Sequence, residues 1–351
     1  MPRLTIATSA TAAPMGAQVY QEEIAARAAH ALGETQSGWR VDRMIVRSLR
    51  SPLPGDRRLP MGWLSDASPR ARQEVGRFLY PRAAIVHRMN LELPPSPHLD
   101  VITLHDVVAW KFADESAPVR AARDEARRAA AVVCVSRFTA QEAVDLLGIA
   151  DPVVVHNGVD DRFFSATPAD DVALAALGVE RPYVINAGGA SIRKNLEGLA
   201  QAWPKVRSAR PDLMLVLSGP DHPRRTGLFS GMPGVRLLGR VPDAMVPGLI
   251  AAAGAVVVPS LYEGFGLPAL EGMAAGVPVV AARTSSLPEV VGDGGILVEP
   301  TADEIAEGVL WAVSDVPEVA RIIERGRRRS RDFTWDRSAA GHARVWTSLG
   351  L

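Results

Sequence analysis

The sequence predicts an α/β protein built from two successive parallel-sheet units, and two observations predict it. Short apolar runs rich in β-branched residues recur along the 351-residue chain, separated by alanine-rich amphipathic stretches. Strands that lack polar alternation are those covered by helices on both faces. The rhythm also breaks once and then restarts. In the first half the runs are LTIATSA, then a helix from about Ala17, then VDRMIV, AAIVHRM, VITLHDV, AVVCVS and PVVVHNGV. Thr139-Ala-Gln-Glu142 has the form of a capping box and marks a helix start. After HNGVDDRFFSATPADD come YVINAGG, a helix from Asn195, LMLVLSG, VRLLG, a helix from Asp243, AVVVPS, a helix from Pro268, PVVAAR and ILVEP, with a second capping box at Thr301-Ala-Asp-Glu304. Polar, Pro/Ala-rich composition near 160–180 marks the boundary. The expected domains are therefore 1–168 and 169–334, followed by an amphipathic closing segment, 335–351. Doubly wound units side by side place their strand C-termini at a shared cleft, so candidate functional residues are those just after strands.

Composition narrows the function. The chain is 47% hydrophobic with a formal net charge of zero, enough for a sizeable core and against a general affinity for nucleic acid or anionic lipid. Cys134 is the single cysteine, so no structural disulfide forms and a cytoplasmic location is expected. No apolar run approaches ~18 residues, and the N-terminus lacks the apolar region of a signal peptide, so any membrane contact is expected to be peripheral. Lysine stands only at Lys111, Lys194 and Lys205, which singles each of them out in an arginine-dominated chain. The arginines of IIERGRRRSRDF read as a solvated helix face or as a phosphate or lipid contact.

Four stretches carry chemistry. In YEGFGLPALEGMAAGVP (262–278), Gly264 and Gly266 permit a tight turn after a strand, Pro268 suits the first helical turn and Gly276 its end. Backbone N–H groups at that helix start form an anion site. Glu271 could accept hydrogen bonds from vicinal hydroxyls or serve the helix dipole, and Glu263 precedes the turn. In INAGGASIRKNLEGLAQAW (185–203), Arg193 and Lys194 precede a helix, as a diphosphate site or as a solvated pair. His105-Asp106 end the strand VITL, where the histidine could be a base, a hydroxyl partner or a core residue, with Asp106 orienting the ring. Gly16 follows the first strand as a phosphate-loop candidate, without a G-x-G-x-x-G or G-x-x-x-x-G-K-[ST] pattern. The chain has no D-x-D, H-E-x-x-H, cysteine–histidine cluster or G-x-S-x-G, so no dedicated metal or serine-hydrolase site is indicated.

Together these residues resemble the retaining family 4 glycosyltransferases of GT-B fold, over nearly the whole chain. PSLYEGFGLPALEGMAAGVPVVAARTSSLPEVVGDGGILVEP resembles the family's donor-site signature, with two glutamates at the spacing of Glu263 and Glu271. INAGGASIRKNL resembles its diphosphate segment and VRLLGRVPD the segment beside the base. VITLHDV, VVCVSRFT and VVVHNGVDDRFF resemble further landmarks, and DFTWDRSAAGHARVW resembles the closing helix. The resemblance implies two Rossmann-like domains facing across a cleft, with the closing helix crossing back to pack on the first. It implies that Glu263 contacts donor-sugar hydroxyls and Glu271 the ribose. It also implies that Gly264, Phe265, Gly266 and Leu267 face the sugar and phosphates, that Lys194 binds the diphosphate with Arg193 nearby, and that Arg240 and Val241 border the base. Gly16 would approach the phosphates and His105 the transferred sugar, which makes His105, Lys194 and Glu263 the catalytic candidates. Two departures stand out: Gly189 occupies a place where many relatives carry arginine, and His156 one where proline is usual.

The implied reaction moves a hexose-type sugar, with retention, from a nucleoside-diphosphate sugar to an acceptor hydroxyl in polysaccharide, glycolipid or natural-product biosynthesis. No metal or other cofactor is expected. The compact Gly-Gly/Arg-Lys-Asn form leans toward GDP-mannose. A phosphorylase or sugar-nucleotide epimerase on the same fold, a glycoside hydrolase using the two glutamates, and a non-catalytic nucleotide-binding protein are the alternatives. The protein is expected as a monomer or homodimer, and acceptor choice is expected in the first domain's loops, notably RSLRSPLPGDRRLPMGWLSD (47–66) and the region after Asp106.

Overall fold

The computed structural model describes residues 2–11, 15–35, 38–80 and 84–350. It divides into two compact units, Met1–Gly158 with Trp335–Leu351, and Val159–Thr334. The sequence placed the first boundary at 168. In the structure the intervening residues pack on the second unit, where Arg162 of the short helix Asp161–Phe164 pairs with Asp243 and the Ala169 N–H donates to the Gly248 carbonyl at 2.9 Å.

The first unit holds strands β1 (Arg3–Ser9), β2 (Arg40–Ser48), β3 (Arg57–Leu59), β4 (Ile85–Arg88), β5 (Leu99–Leu104), β6 (Ala131–Cys134) and β7 (Val153–Val154). They form a parallel sheet in the order β3-β2-β1-β4-β5-β6-β7. The second unit holds β8 (Tyr183–Ala187), β9 (Met214–Ser218), β10 (Val235–Gly239), β11 (Ala255–Val258), β12 (Val279–Ala282) and β13 (Ile296–Val298), parallel in the order β10-β9-β8-β11-β12-β13. Each sheet therefore reverses its winding once, between β1 and β4 and between β8 and β11. Strands β11 and β12 are buried at every residue, as their unbroken apolar runs require.

Local signals explain most helix starts. Thr301 caps Ala302–Ala312 by accepting from the Glu304 N–H. Thr139 does not cap its helix. Ser136, three residues earlier, accepts from the Thr139 N–H and starts Arg137–Glu142, because in S-R-F-T the first hydroxyl reaches the free N–H groups first. Gly272 lets the helix Leu267–Ala274 lie against the sheet, since a Cβ there would stand 2.9 Å from Val256 and Val279. In the second unit's core, Trp203 is buried with its indole N–H donating to the Pro233 carbonyl at 3.0 Å.

Candidate functional site

The winding of the second sheet reverses between β8 and β11, and ligands of such sheets bind beyond the strand ends at that point. The two strands pair only as far as Ile185. Beyond it the Asn186 amide spans the gap, donating to the Val257 carbonyl at 2.9 Å. The loops that follow then close on each other, with the Leu261 N–H donating to the Arg193 carbonyl at 2.7 Å.

Glu263 is the centre of this arrangement and is buried. One carboxylate oxygen accepts from Lys194 Nζ at 2.7 Å and Ser260 Oγ at 2.8 Å. The other accepts from Lys194 at 2.8 Å and Arg193 at 3.4 Å. Burial alone would raise its pKa, but the Lys194 and Arg193 charges and these hydrogen bonds outweigh it and hold the carboxyl below its ordinary range. The backbone of Glu263 is fixed as well. Its N–H donates to Ser285 Oγ, and its carbonyl accepts from Ser286 Oγ, each at 2.9 Å. Thr284 Oγ1 donates to the Ser260 carbonyl at 2.7 Å.

The turn continues through Gly264 and Phe265, whose ring meets Phe333 edge-on at 5.8 Å, to Gly266, which has φ +103° and precedes Leu267, the first residue of Leu267–Ala274. Glu263, which pairs with both cations of the cluster, thus precedes by four residues a helix whose first N–H groups lack partners within the helix. Asn195 holds the cations in place. It adopts the left-handed conformation, φ 53°, caps Leu196–Ala209 by accepting from the Gly198 N–H, and donates to the Pro259 and Pro300 carbonyls at 3.0 Å each.

Glu271 stands in the same helix, apart from that cluster. Desolvation raises its pKa from 4.5 to about 7, against the opposing charge of Arg162, with Asp243 and Asp160 adding to the rise. Arg240 is exposed and Val241 buried just after β10. At Gly188-Gly189, the turn where relatives were expected to carry arginine, the buried Arg225 donates to both glycine carbonyls. Its guanidinium comes from the helix Pro223–Phe229, not from the turn itself.

In the first unit, His105 follows β5. The Met89 backbone is its hydrogen-bond partner, and its buried Nε2 has no partner among the described residues. Burial lowers its pKa to about 4, so the ring is neutral, with Nδ1–H directed at the backbone and Nε2 left as an acceptor. Asp106 accepts from the Val108 N–H at 3.2 Å, at the start of the turn Val108–Trp110. The ring is thus oriented by Met89, where the sequence suggested Asp106. Gly16 is the exposed first residue of the helix Gly16–Thr35, and residues 12–14 of the loop before it lie outside the described residues.

Sequence reasoning missed Asn195, Thr284, Ser285, Ser286 and Arg225, all of which position the site. The available signals were an asparagine that tolerates positive φ directly after Arg-Lys and a hydroxyl run directly after a strand. No group of three or more His, Cys, Asp or Glu among the described residues could hold a metal ion. No helix of the described residues is long and apolar enough to cross a membrane.

Two Rossmann-like units, each a parallel sheet with alternating helices, have the architecture of the GT-B fold. Residues 175–329 match the family model "Glycosyl transferases group 1" and residues 24–163 match "Glycosyltransferase Family 4". The chain is 31% identical over 301 residues to the O-antigen chain mannosyltransferase B of Escherichia coli, covering 75% of this chain and 76% of that one. It is 34% identical over 246 residues to a GDP-mannose-dependent α-(1-6)-phosphatidylinositol dimannoside mannosyltransferase of Mycobacterium tuberculosis, covering 66% and 63% respectively. The sucrose-phosphate synthase of Thermosynechococcus elongatus superposes with a TM-score of 0.78 at 21% identity, over 98% of both chains. The chain belongs to the group 1, family 4 glycosyltransferases.

Proposed function

We propose that the protein transfers a mannose-type hexose, with retention, from GDP-mannose to an acceptor hydroxyl, without a metal ion. The observation that carries this reading is the pair of cations, Lys194 and Arg193, held by buried Glu263 just ahead of the helix Leu267–Ala274 in the chain. A leaving diphosphate gains negative charge in the transition state. A preorganised ammonium, a guanidinium and helix N–H groups stabilise that charge without having to reorganise. Lys194 can turn part of its hydrogen bonding from Glu263 to the diphosphate, while Glu263 holds it in place. Glu263 also faces the donor-sugar hydroxyls, with the backbone of Gly264, Phe265, Gly266 and Leu267 against sugar and phosphates. Glu271 accepts from the ribose, and Arg240 and Val241 border the base. From the first unit, His105 presents its free Nε2 to a hydroxyl of the transferred sugar, and Gly16 belongs to the phosphates. The leaving diphosphate takes the acceptor's proton as the new bond forms on the same face, so no covalent enzyme intermediate is needed.

The names of both mannosyltransferase relatives support the choice of sugar, and the second also supports the guanine base. Calorimetric titration with GDP, UDP, ADP and dTDP in the presence of a chelator tests the reading. Selective, chelator-insensitive binding of GDP is expected, whereas binding of UDP alone would replace the donor. Lys194→Ala should lower turnover by about 10²–10³-fold with the fold intact, and unchanged turnover would remove Lys194 from the site.

A further inference from the structure

A hydrogen-bond circuit that starts and ends on one helix runs behind His105 in the first unit. Trp346 Nε1 donates to His87 Nδ1 at 3.1 Å. His87 Nε2 lies 2.8 Å from Thr103 Oγ1, which lies 2.8 Å from the Tyr20 hydroxyl. That hydroxyl lies 2.5 Å from His342 Nε2, and His342 Nδ1 lies 2.8 Å from the Ser338 carbonyl. Tyr20, His87, Thr103, His342 and Trp346 are all buried.

The two ends fix every proton. An indole N–H only donates, so His87 Nδ1 is an acceptor and the ring carries its hydrogen on Nε2. A carbonyl only accepts, so His342 carries its hydrogen on Nδ1 and receives one at Nε2. The Tyr20 O–H must then point to His342, and the Thr103 O–H to Tyr20. The chain reads Trp346 to His87 to Thr103 to Tyr20 to His342 to Ser338, one donor per link, beginning and ending on the helix Trp335–Ser348. This order requires both histidines to be neutral, and burial lowers the pKa of each.

Tyr20 has a second neighbour. Its ring stands edge-on to the His105 ring, with centroids 4.7 Å apart and planes at 89°. We propose that Tyr20 is a positioning residue for the reaction: the circuit through Thr103 and His342 locks the tyrosine ring, and that ring holds the imidazole of His105 with Nε2 presented to the sugar. The proposal rests on the reading of His105 given above. The closing helix thereby sets the aim of His105 without touching substrate.

The test uses the full-length protein, with ¹⁵N-labelled histidine read by NMR and nucleoside-diphosphate release measured from GDP-mannose and from UDP-glucose. In the wild type His87 should show the Nε2–H tautomer, and His342 and His105 the Nδ1–H tautomer. Thr103→Val breaks two links, and Tyr20→Phe breaks two while keeping the ring. Each should shift or broaden the His105 ring signals and lower kcat about tenfold or more, with KM for the sugar nucleotide changed less than threefold, since misplacement of a reacting group by ~1 Å costs up to ~10²-fold. Thr103→Ser, which keeps the hydroxyl, should restore both readouts. Unchanged His105 signals in Tyr20→Phe, or a loss in Thr103→Ser as large as in Thr103→Val, would overturn the proposal. His105→Ala separates the two claims. If it leaves turnover unchanged, the reading of His105 falls, whatever the tautomers show. If it abolishes turnover while Tyr20→Phe changes nothing, that reading stands and the positioning role is lost.

Discussion

Glu271→Gln should make the free protein more stable above neutral pH while weakening its grip on nucleotide. The carboxyl has a pKa near 7 in the folded chain against 4.5 ordinarily, because burial penalises the charge more than Arg162 relieves it. The folded state thus binds the proton more tightly than the unfolded state. The stability this contributes is full below about pH 4.5 and is lost as pH rises through 7. A shift of that size corresponds to about 3 kcal/mol once the group is fully ionised. Glutamine imitates the protonated acid at every pH. Urea unfolding should therefore place variant and wild type within about 1 kcal/mol at pH 5, and the variant about 3 kcal/mol ahead at pH 8.5. The same substitution should weaken GDP binding, because an amide oxygen accepts more weakly than a carboxylate. A stability gap that does not change between pH 5 and 8.5 would refute the desolvated-carboxyl argument, whatever happens to binding.

Three further outcomes follow from the same geometry. On the proposed role of Glu271, ribose hydroxyls that donate to it would favour its ionised form, so GDP binding at pH 7 should release part of a proton and tighten from pH 6 to 8. The calorimetric enthalpy should then differ between phosphate and Tris buffers, and the difference should vanish in Glu271→Gln. Glu263→Gln leaves Lys194 and Arg193 without their counter-charge and should cost roughly 3 kcal/mol in urea unfolding, as breaking a buried pair does; a loss under about 0.5 kcal/mol would show the pair to be solvent-screened. Asn195→Ala removes a helix cap at positive φ and should cost ~2 kcal/mol, with Asn195→Gly the milder change because glycine tolerates that φ; the reverse order would discount the backbone term.

The architecture was legible because it rests on local signals. Unbroken apolar runs such as AVVV and VVAA identify fully covered strands, and Gly266-Leu-Pro268 identifies a turn entering a helix. The charged cluster was legible for a similar reason: Glu263, Arg193 and Lys194 follow strands within one short stretch each. Their supports were not. Ser285 and Ser286 lie more than twenty residues from the glutamate they fix, and Arg225 reaches back thirty-seven positions to Gly188. A hydroxyl run after a strand does not say which backbone it will fix, a lone arginine in a chain full of arginine carries no local pattern, and only the sheet order brings them together. The Tyr20 circuit is more extreme, with partners as far apart as 322 positions. The capping box at Thr139 failed for an opposite reason, since two candidates three residues apart competed for the same helix start and local rules did not rank them.

The chain leaves the first unit after Gly158 and rejoins it at Trp335, and on the second unit those two crossing points are neighbours: Val159 and Thr334 form a parallel bridge, with the Val159 N–H donating to the Phe333 carbonyl at 3.0 Å. The second unit is thus an insertion with paired ends, one contiguous stretch of chain, while the first is discontinuous. During synthesis the inserted unit is complete while the first still lacks its last helix, including Trp346 and His342. Because domains fold as units during synthesis, the half of the protein made first is the half finished last, and a ribosome that stops before Trp335 leaves the buried face beneath that helix open to water.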